Sequence, residues 1–170
     1  MEDIYKTCKN ILLVGDKNCG KTTYTNRLVT AEFLNKYIPT LDNPKSKIYL
    51  DYKHVSEELY NINTPTDSHY NLIESTFDNY IKFVEKFKKD IDGVIIMYDC
   101  TTYIKENKIN EVVEFFINVP IVICRNKYEP SYKKYKYSNI YQKKHINISS
   151  KSNYNFDKPF FLICKEIANK

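Results

Sequence analysis

Glycine occurs three times and arginine twice in the 170-residue sequence. With so few glycines, the presence of two of them, Gly15 and Gly20, in one short stretch is informative. No apolar run approaches the ~20 residues needed to cross a bilayer; the longest lie near Ile95 and Val122. The first residues lack the charged-then-apolar pattern of a signal peptide. No repeat, low-complexity linker or shift in composition marks a boundary, so one domain over residues 1–170 is expected. The five cysteines, Cys8, Cys19, Cys100, Cys124 and Cys164, are odd in number and form no Cys-x-x-Cys. Disulfides and zinc are therefore not expected, and a reducing intracellular compartment, cytoplasmic or nuclear, is. The sequence closes without a prenylation box, so no membrane anchor is expected.

Apolar residues make up 42% of the chain, enough for a core and too much for intrinsic disorder. The formal net charge is +5. Lysine, asparagine, isoleucine and tyrosine are abundant together, the bias of an AT-rich coding sequence. The lysines then read as solvated surface charge, with a basic face for a protein partner as the other reading. No nucleic-acid partner is expected.

Strand and helix patterns alternate along the chain. Residues 10–15 (NILLVG) form a short apolar run ending at glycine, the pattern of a buried strand. Residues 21–33 read as a helix. Residues 46–52 and 57–62 alternate apolar and polar, as paired edge strands do. Ser75 to Asp78 has capping-box spacing, and Phe77, Tyr80, Ile81, Val84 and Phe87 follow at helical spacing. Buried-strand runs occupy residues 92–100 and 119–124, with a helix over 109–116 between them. A last short strand is expected at 145–149. Asp157 is placed to cap a final helix with Pro159 in its first turn and Phe160, Ile163, Cys164 and Ile167 on its inner face. This alternation predicts an α/β fold: a mostly parallel, six-stranded sheet with helices on both faces. Ligands of such sheets bind beyond the carboxyl ends of the strands.

Residues 15–22, GDKNCGKT, satisfy G-x-x-x-x-G-K-[ST] in full, between a strand and a helix. Backbone N–H groups of Gly15, Asp16, Lys17, Asn18, Cys19 and Gly20 can turn toward phosphates, and the helix N-terminus favours an anion. Lys21 would reach the β- and γ-phosphates, and the Thr22 hydroxyl, followed by Thr23, would ligate Mg²⁺. Cys19 fills a variable position, with a lowered thiol pKa beside the phosphates as the alternative. A phosphate loop alone leaves GTPases, ATPases and nucleotide kinases open.

Two later stretches narrow the choice. NKY at 126–128 resembles the start of the guanine-recognition motif Asn-Lys-x-Asp, and ISSK at 148–151 resembles the Ser-Ala-Lys motif that supports the base. With the loop, they resemble the Ras superfamily of small GTPases. KYIPTLDN (36–43), NVPIVICRNK (118–127) and SSKSNYNFDKPF (149–160) are similar to the branch of the nuclear-transport GTPase Ran. The resemblance implies a P-loop small-GTPase fold that binds GTP or GDP with Mg²⁺. It assigns Thr40 to Mg²⁺ in the triphosphate state, and Asn126, Lys127, Ser150 and Lys151 to the base. It also implies a monomer with nuclear transport receptors among its partners, Lys143 and Lys144 matching part of a basic receptor-binding patch.

Departures from the family are equally specific. Glu129 replaces the aspartate of the base motif and is one methylene longer. Lys17 and Asn18 stand where glycine is frequent, and Lys17 crowds the entry of a stimulating arginine. Matching the family's Asp-Thr-Ala-Gly-Gln to Asn63-Thr64-Pro65-Thr66-Asp67 makes Asn63 a Mg²⁺ partner through water and Asp67 the degenerate catalytic position. Two functions follow: a guanine-nucleotide switch with slow or absent hydrolysis, or a nucleotide-free module that imitates such a switch.

Overall fold

In the computed structural model, the described residues are 8–30, 45–51, 67–87, 91–131 and 145–170. They contain strands β1 (Cys8–Gly15), β2 (Lys45–Asp51), β3 (Asp67–Ser75), β4 (Gly93–Asp99), β5 (Ile121–Asn126) and β6 (His145–Asn147). The helices are α1 (Lys21–Thr30), α2 (Tyr80–Phe87), α3 (Glu106–Phe115) and α4 (Lys158–Ala168). The strands form one sheet in the order β2-β3-β1-β4-β5-β6. All neighbours are parallel except β2 and β3.

Alternation along each strand divides the core into two layers. Ile11 and Leu13 of β1 join Ile95, Met97, Tyr24 of α1 and Phe160, Ile163 and Cys164 of α4 on one face. Leu12 and Val14 join Ile96, Tyr98, Tyr80 and Val84 of α2 and Ile109 and Val112 of α3 on the other. Apolar runs in β1, β4 and β5 are therefore continuous because both faces of these strands are covered. The expected α/β fold, mostly parallel with helices on both faces, is the observed one. The chain leaves β1 in one direction and β4 in the other, and the crevice between their carboxyl ends is where ligands of such sheets sit. No helix among the described residues is long and apolar enough to cross a membrane.

Several local expectations change. Residues 57–62 lie outside the described residues, and β2 pairs with β3, from Lys45↔Ile73 to Asp51↔Asp67. β3 also pairs with β1 from Cys8↔His69 to Val14↔Ser75. A strand bonded on both sides need not show the edge-strand alternation that singled out 57–62. Ser75 ends β3 instead of opening a capping box: its hydroxyl is buried without a hydrogen-bond partner among the described residues. Helix α2 starts only after the turn in which Thr76 O accepts from Asn79 N and Tyr80 N. Ile81 is 44% exposed and so does not face the core. Asp157 sits at the N-cap of α4 in a helical conformation, with no side-chain cap bond. The expected inner face of α4 is buried throughout.

Candidate functional site

The loop between β1 and α1 can close only because two of its residues lack a side chain. A Cβ on Gly15 would stand 2.0 Å from the Met97 carbonyl oxygen on β4. Gly20 has φ +96, a region costly for other residues, and a Cβ there would lie 2.4 Å from Asn126 Nδ2. Asn18 also takes a positive φ, 64°, which asparagine tolerates better than most residues. The loop thus curls tightly against the carboxyl ends of β4 and β5.

Lys21, the first residue of α1, is buried and folds back over the loop. Its Nζ donates to Gly15 O at 3.0 Å and Asp16 O at 2.7 Å. Thr22 Oγ1 donates to Glu74 Oε2 at 2.7 Å. Glu74 is only 3% exposed. Burial holds its carboxyl above the ordinary carboxylate value, against hydrogen bonds from Thr22 and Thr25 and the nearby Lys21 charge. Burial likewise pushes the Cys19 thiol up, outweighing Lys21, so Cys19 is a neutral, buried thiol and not an activated one.

Asn126 ends β5 beneath the loop. Its Nδ2 donates to Cys19 O at 3.0 Å, and its Oδ1 accepts from Ser150 N at 3.2 Å and Ser150 Oγ at 3.3 Å. One buried amide therefore joins the phosphate loop to the turn after β6. Lys127 follows with φ 62. Its Nζ donates to Asn18 O at 2.9 Å and pairs with Asp99 Oδ2 at 2.7 Å. Lys105, just before α3, pairs with Asp16 at 2.8 Å. The Tyr128 amide bonds Ile148 O at 3.0 Å, holding Glu129, which is partly exposed, next to the same turn.

Sequence reasoning missed three contributors. Arg27 on α1 donates to the Ser150 and Lys151 carbonyls, and its guanidinium lies 5.6 Å from the Phe156 ring centroid. Asp99 anchors Lys127 and also accepts from the Thr101 amide and hydroxyl. The third is Glu74. An isolated arginine and the carboxylate closing the apolar run of β4 were the available signals for the first two.

The structure brings Gly15 through Thr23, Asn126, Lys127, Ser150 and Lys151 to one pole of the sheet. Thr40, Asn63, Lys143 and Lys144 lie outside the described residues. Asp67 does not belong to this pole. It begins β3 opposite Asp51, eight residues before Ser75, which pairs with Val14 beside the loop. At about 3.3 Å per residue that is roughly 26 Å away. The switch motif matched to 63–67 is therefore out of register, and the carboxylate that reaches Thr22 is Glu74.

Whether this pole suits Mg²⁺ is decided by its donors. A buried carboxylate faces a hydroxyl at the start of a helix, an all-oxygen set of the kind hard cations take. No group of three or more His, Cys, Asp or Glu among the described residues could hold a metal by itself. An ion at Thr22 and Glu74 would draw its remaining ligands from phosphate and water, as nucleotide-bound Mg²⁺ does. Its chemistry would be to neutralise phosphate charge. The Ras family model matches residues 10–169, nearly the whole sequence. The chain belongs to the Ras family of GTP-binding proteins.

Proposed function

We propose that the protein is a guanine-nucleotide switch of the Ran branch that hydrolyses GTP slowly. The observation that carries the reading is Asn126, which ties the phosphate loop to the base-supporting turn through Cys19 O and the Ser150 amide. Such a strut fits a ligand with phosphates at one end and a base at the other. Glu129 keeps the negative charge that a guanine edge requires. Cys19, Cys100, Cys124 and Cys164 form no disulfide among the described residues, in keeping with an intracellular setting.

Slow hydrolysis is supported by the turn after β3. With Glu74 at the carboxylate position, the family's Asp-Thr-Ala-Gly-Gln corresponds to Glu74-Ser75-Thr76-Phe77-Asp78. Phe77 stands in place of the glycine, and its ring is buried in the core, which opposes movement of this backbone toward a γ-phosphate. Asp78, in place of the glutamine, is shorter and would be repelled by the phosphate. Exposed Lys17 crowds the approach of an arginine from a partner. Single-turnover hydrolysis of preloaded GTP tests this: the expected rate is below the intrinsic value of roughly 10⁻⁴ s⁻¹ known for such domains.

The Ran assignment rests on the three similar sequence stretches. The turn in SSKSNYNFDKPF adds support: Ser149 pairs with Tyr154, and Asn153 and Asn155 take positive φ, so the stretch has a compact, sequence-specific shape. Binding of the GTP-loaded protein to a nuclear import receptor, with none in the GDP form, is the expected behaviour. The same Glu74–Asp78 turn favours a second reading, a module that engages partners without a nucleotide cycle. Denaturing the purified protein and chromatographing the supernatant separates them: GDP or GTP at near-stoichiometric yield supports the switch, and none supports the module.

A further inference from the structure

The phosphate loop carries one carboxylate of its own, Asp16, and a carboxylate opposes a polyanion. The Asp16 carbonyl oxygen lies 2.7 Å from Lys21 Nζ, the amine expected at the phosphates. An aspartate carboxylate stands at most about 5 Å from its own carbonyl oxygen. The Asp16 charge is therefore within roughly 8 Å of that amine, inside the ~10 Å over which charges act at about 0.1 M salt. Burial is the main cause of the raised Cys19 pKa, and the Asp16 charge adds to it across the loop. Lys17, the next residue, makes no ion pair among the described residues. Lys105 does: its Nζ stands 2.8 Å from Asp16 Oδ1, although it belongs to none of the nucleotide motifs. The Asp16 hydrogen bond and charge raise the Lys105 pKa, and Asp78 in the turn after β3 adds to the rise. Lys105 thus stands within electrostatic reach of two carboxylates on the phosphate side of the pole. The two partners are 52% and 31% exposed, and a pair so open to water adds little to folding.

We propose that Lys105 is the counter-ion that fits this pole to a polyphosphate: it cancels Asp16, and to a lesser degree Asp78, and so sets nucleotide affinity without touching the nucleotide. The inference rests on the nucleotide-binding reading above. Lys105 is then a positioning residue of the phosphate site, and the strength of its own ion pair matters less than the repulsion it removes.

Affinities for a fluorescent GDP analogue and a non-hydrolysable GTP analogue, in excess Mg²⁺ at low salt, are the readout. Lys105→Ala is expected to weaken GDP binding roughly 3–10-fold and triphosphate binding by more, because the uncancelled charge acts on every added phosphate charge. Raising the salt should shrink both losses. Lys105→Arg should bind as the wild type does. In an Asp16→Asn background, where the charge is already gone, Lys105→Ala should weaken GDP binding by less than about twofold. The nucleotide-free melting temperature should stay within about 2 °C across the set. A merely structural residue would shift that temperature and would not be rescued by Asp16→Asn. Lys105→Ala that binds GDP within about twofold of wild type, or a loss of undiminished size in the Asp16→Asn background, overturns the counter-ion while leaving the switch intact. Wild-type protein that takes up no GDP overturns both.

Discussion

Asn126→Ala tests whether the site is held together before any nucleotide arrives. The wild-type residue is 2% exposed, and its side chain makes four hydrogen bonds, to Cys19 O, Met97 Sδ, Ser150 N and Ser150 Oγ. Alanine leaves the Cys19 carbonyl and the Ser150 amide without these partners. Both residues are buried, at 0% and 3% exposure, so water does not readily replace what is lost. Each orphaned group costs about 1–3 kcal/mol, and the pair about 4 kcal/mol. That is a large share of the ~5–15 kcal/mol that holds a typical domain together. At roughly 2–4 °C per kcal/mol for a chain of this size, the melting temperature falls by about 8–16 °C. The measurement is thermal unfolding by circular dichroism, without nucleotide and in EDTA. Ser150→Ala, which removes only the longer hydroxyl contact, is the internal comparison and should cost about 1 kcal/mol or less. If Asn126→Ala melts within 2 °C of wild type, the strut contributes nothing to the fold and the argument fails.

Gly15→Ala should be worse, because its Cβ would meet the Met97 backbone oxygen at 2.0 Å and push β1 from β4; a loss of ~3 kcal/mol or more is expected, and a wild-type melting curve would refute the close approach. Lys21→Ala should abolish the thermal protection that GDP or GTP gives the wild type, with ATP protecting neither; residual GTP protection would show that another group supplies the cation. Glu129→Asp should tighten binding of a fluorescent GDP analogue, by up to about tenfold; no change or a loss would mean that the turn is already fitted to glutamate. Glu74→Gln should raise metal-free stability at neutral pH by on the order of 1 kcal/mol. Burial raises the carboxyl above its ordinary 4.5 in the folded state, so the unfolded state ionises first as pH rises. Stability from this group is lost between 4.5 and the raised value, and the advantage of glutamine should disappear in melts near pH 4.

The phosphate loop was legible because its chemistry is local: a glycine-bounded turn between a strand and a helix is set by eight consecutive residues. The two-layer core was legible for the same reason, since the β1, β4 and β5 runs announce strands covered on both faces. Glu74 was not. Its role depends on the register of β3 against β1, a pairing between residues about sixty apart, and neighbouring polar positions such as Asn71 broke the apolar pattern of that strand. The switch motif was matched to 63–67 by resemblance to the family, while the pairing Asp51↔Asp67 closes β2 onto later residues. Ser75 had the spacing of a cap, but spacing does not reveal that a residue is still inside a strand. Arg27 was hidden because its partners are main-chain oxygens that no motif advertises.

Helix α1 carries Lys21 and Thr22 at its start, and Arg27, about one and a half turns later, grips the Ser150–Lys151 carbonyls. It behaves as a short rigid rod of about 15 Å, at 1.5 Å per residue, clamped at one end to the phosphate pole and along its side to the base-supporting turn. Such a rod does not let one grip open while the other holds. Leverage applied to α1 would therefore act on both ends of a bound nucleotide at once, and affinity would be lost as a whole instead of by halves.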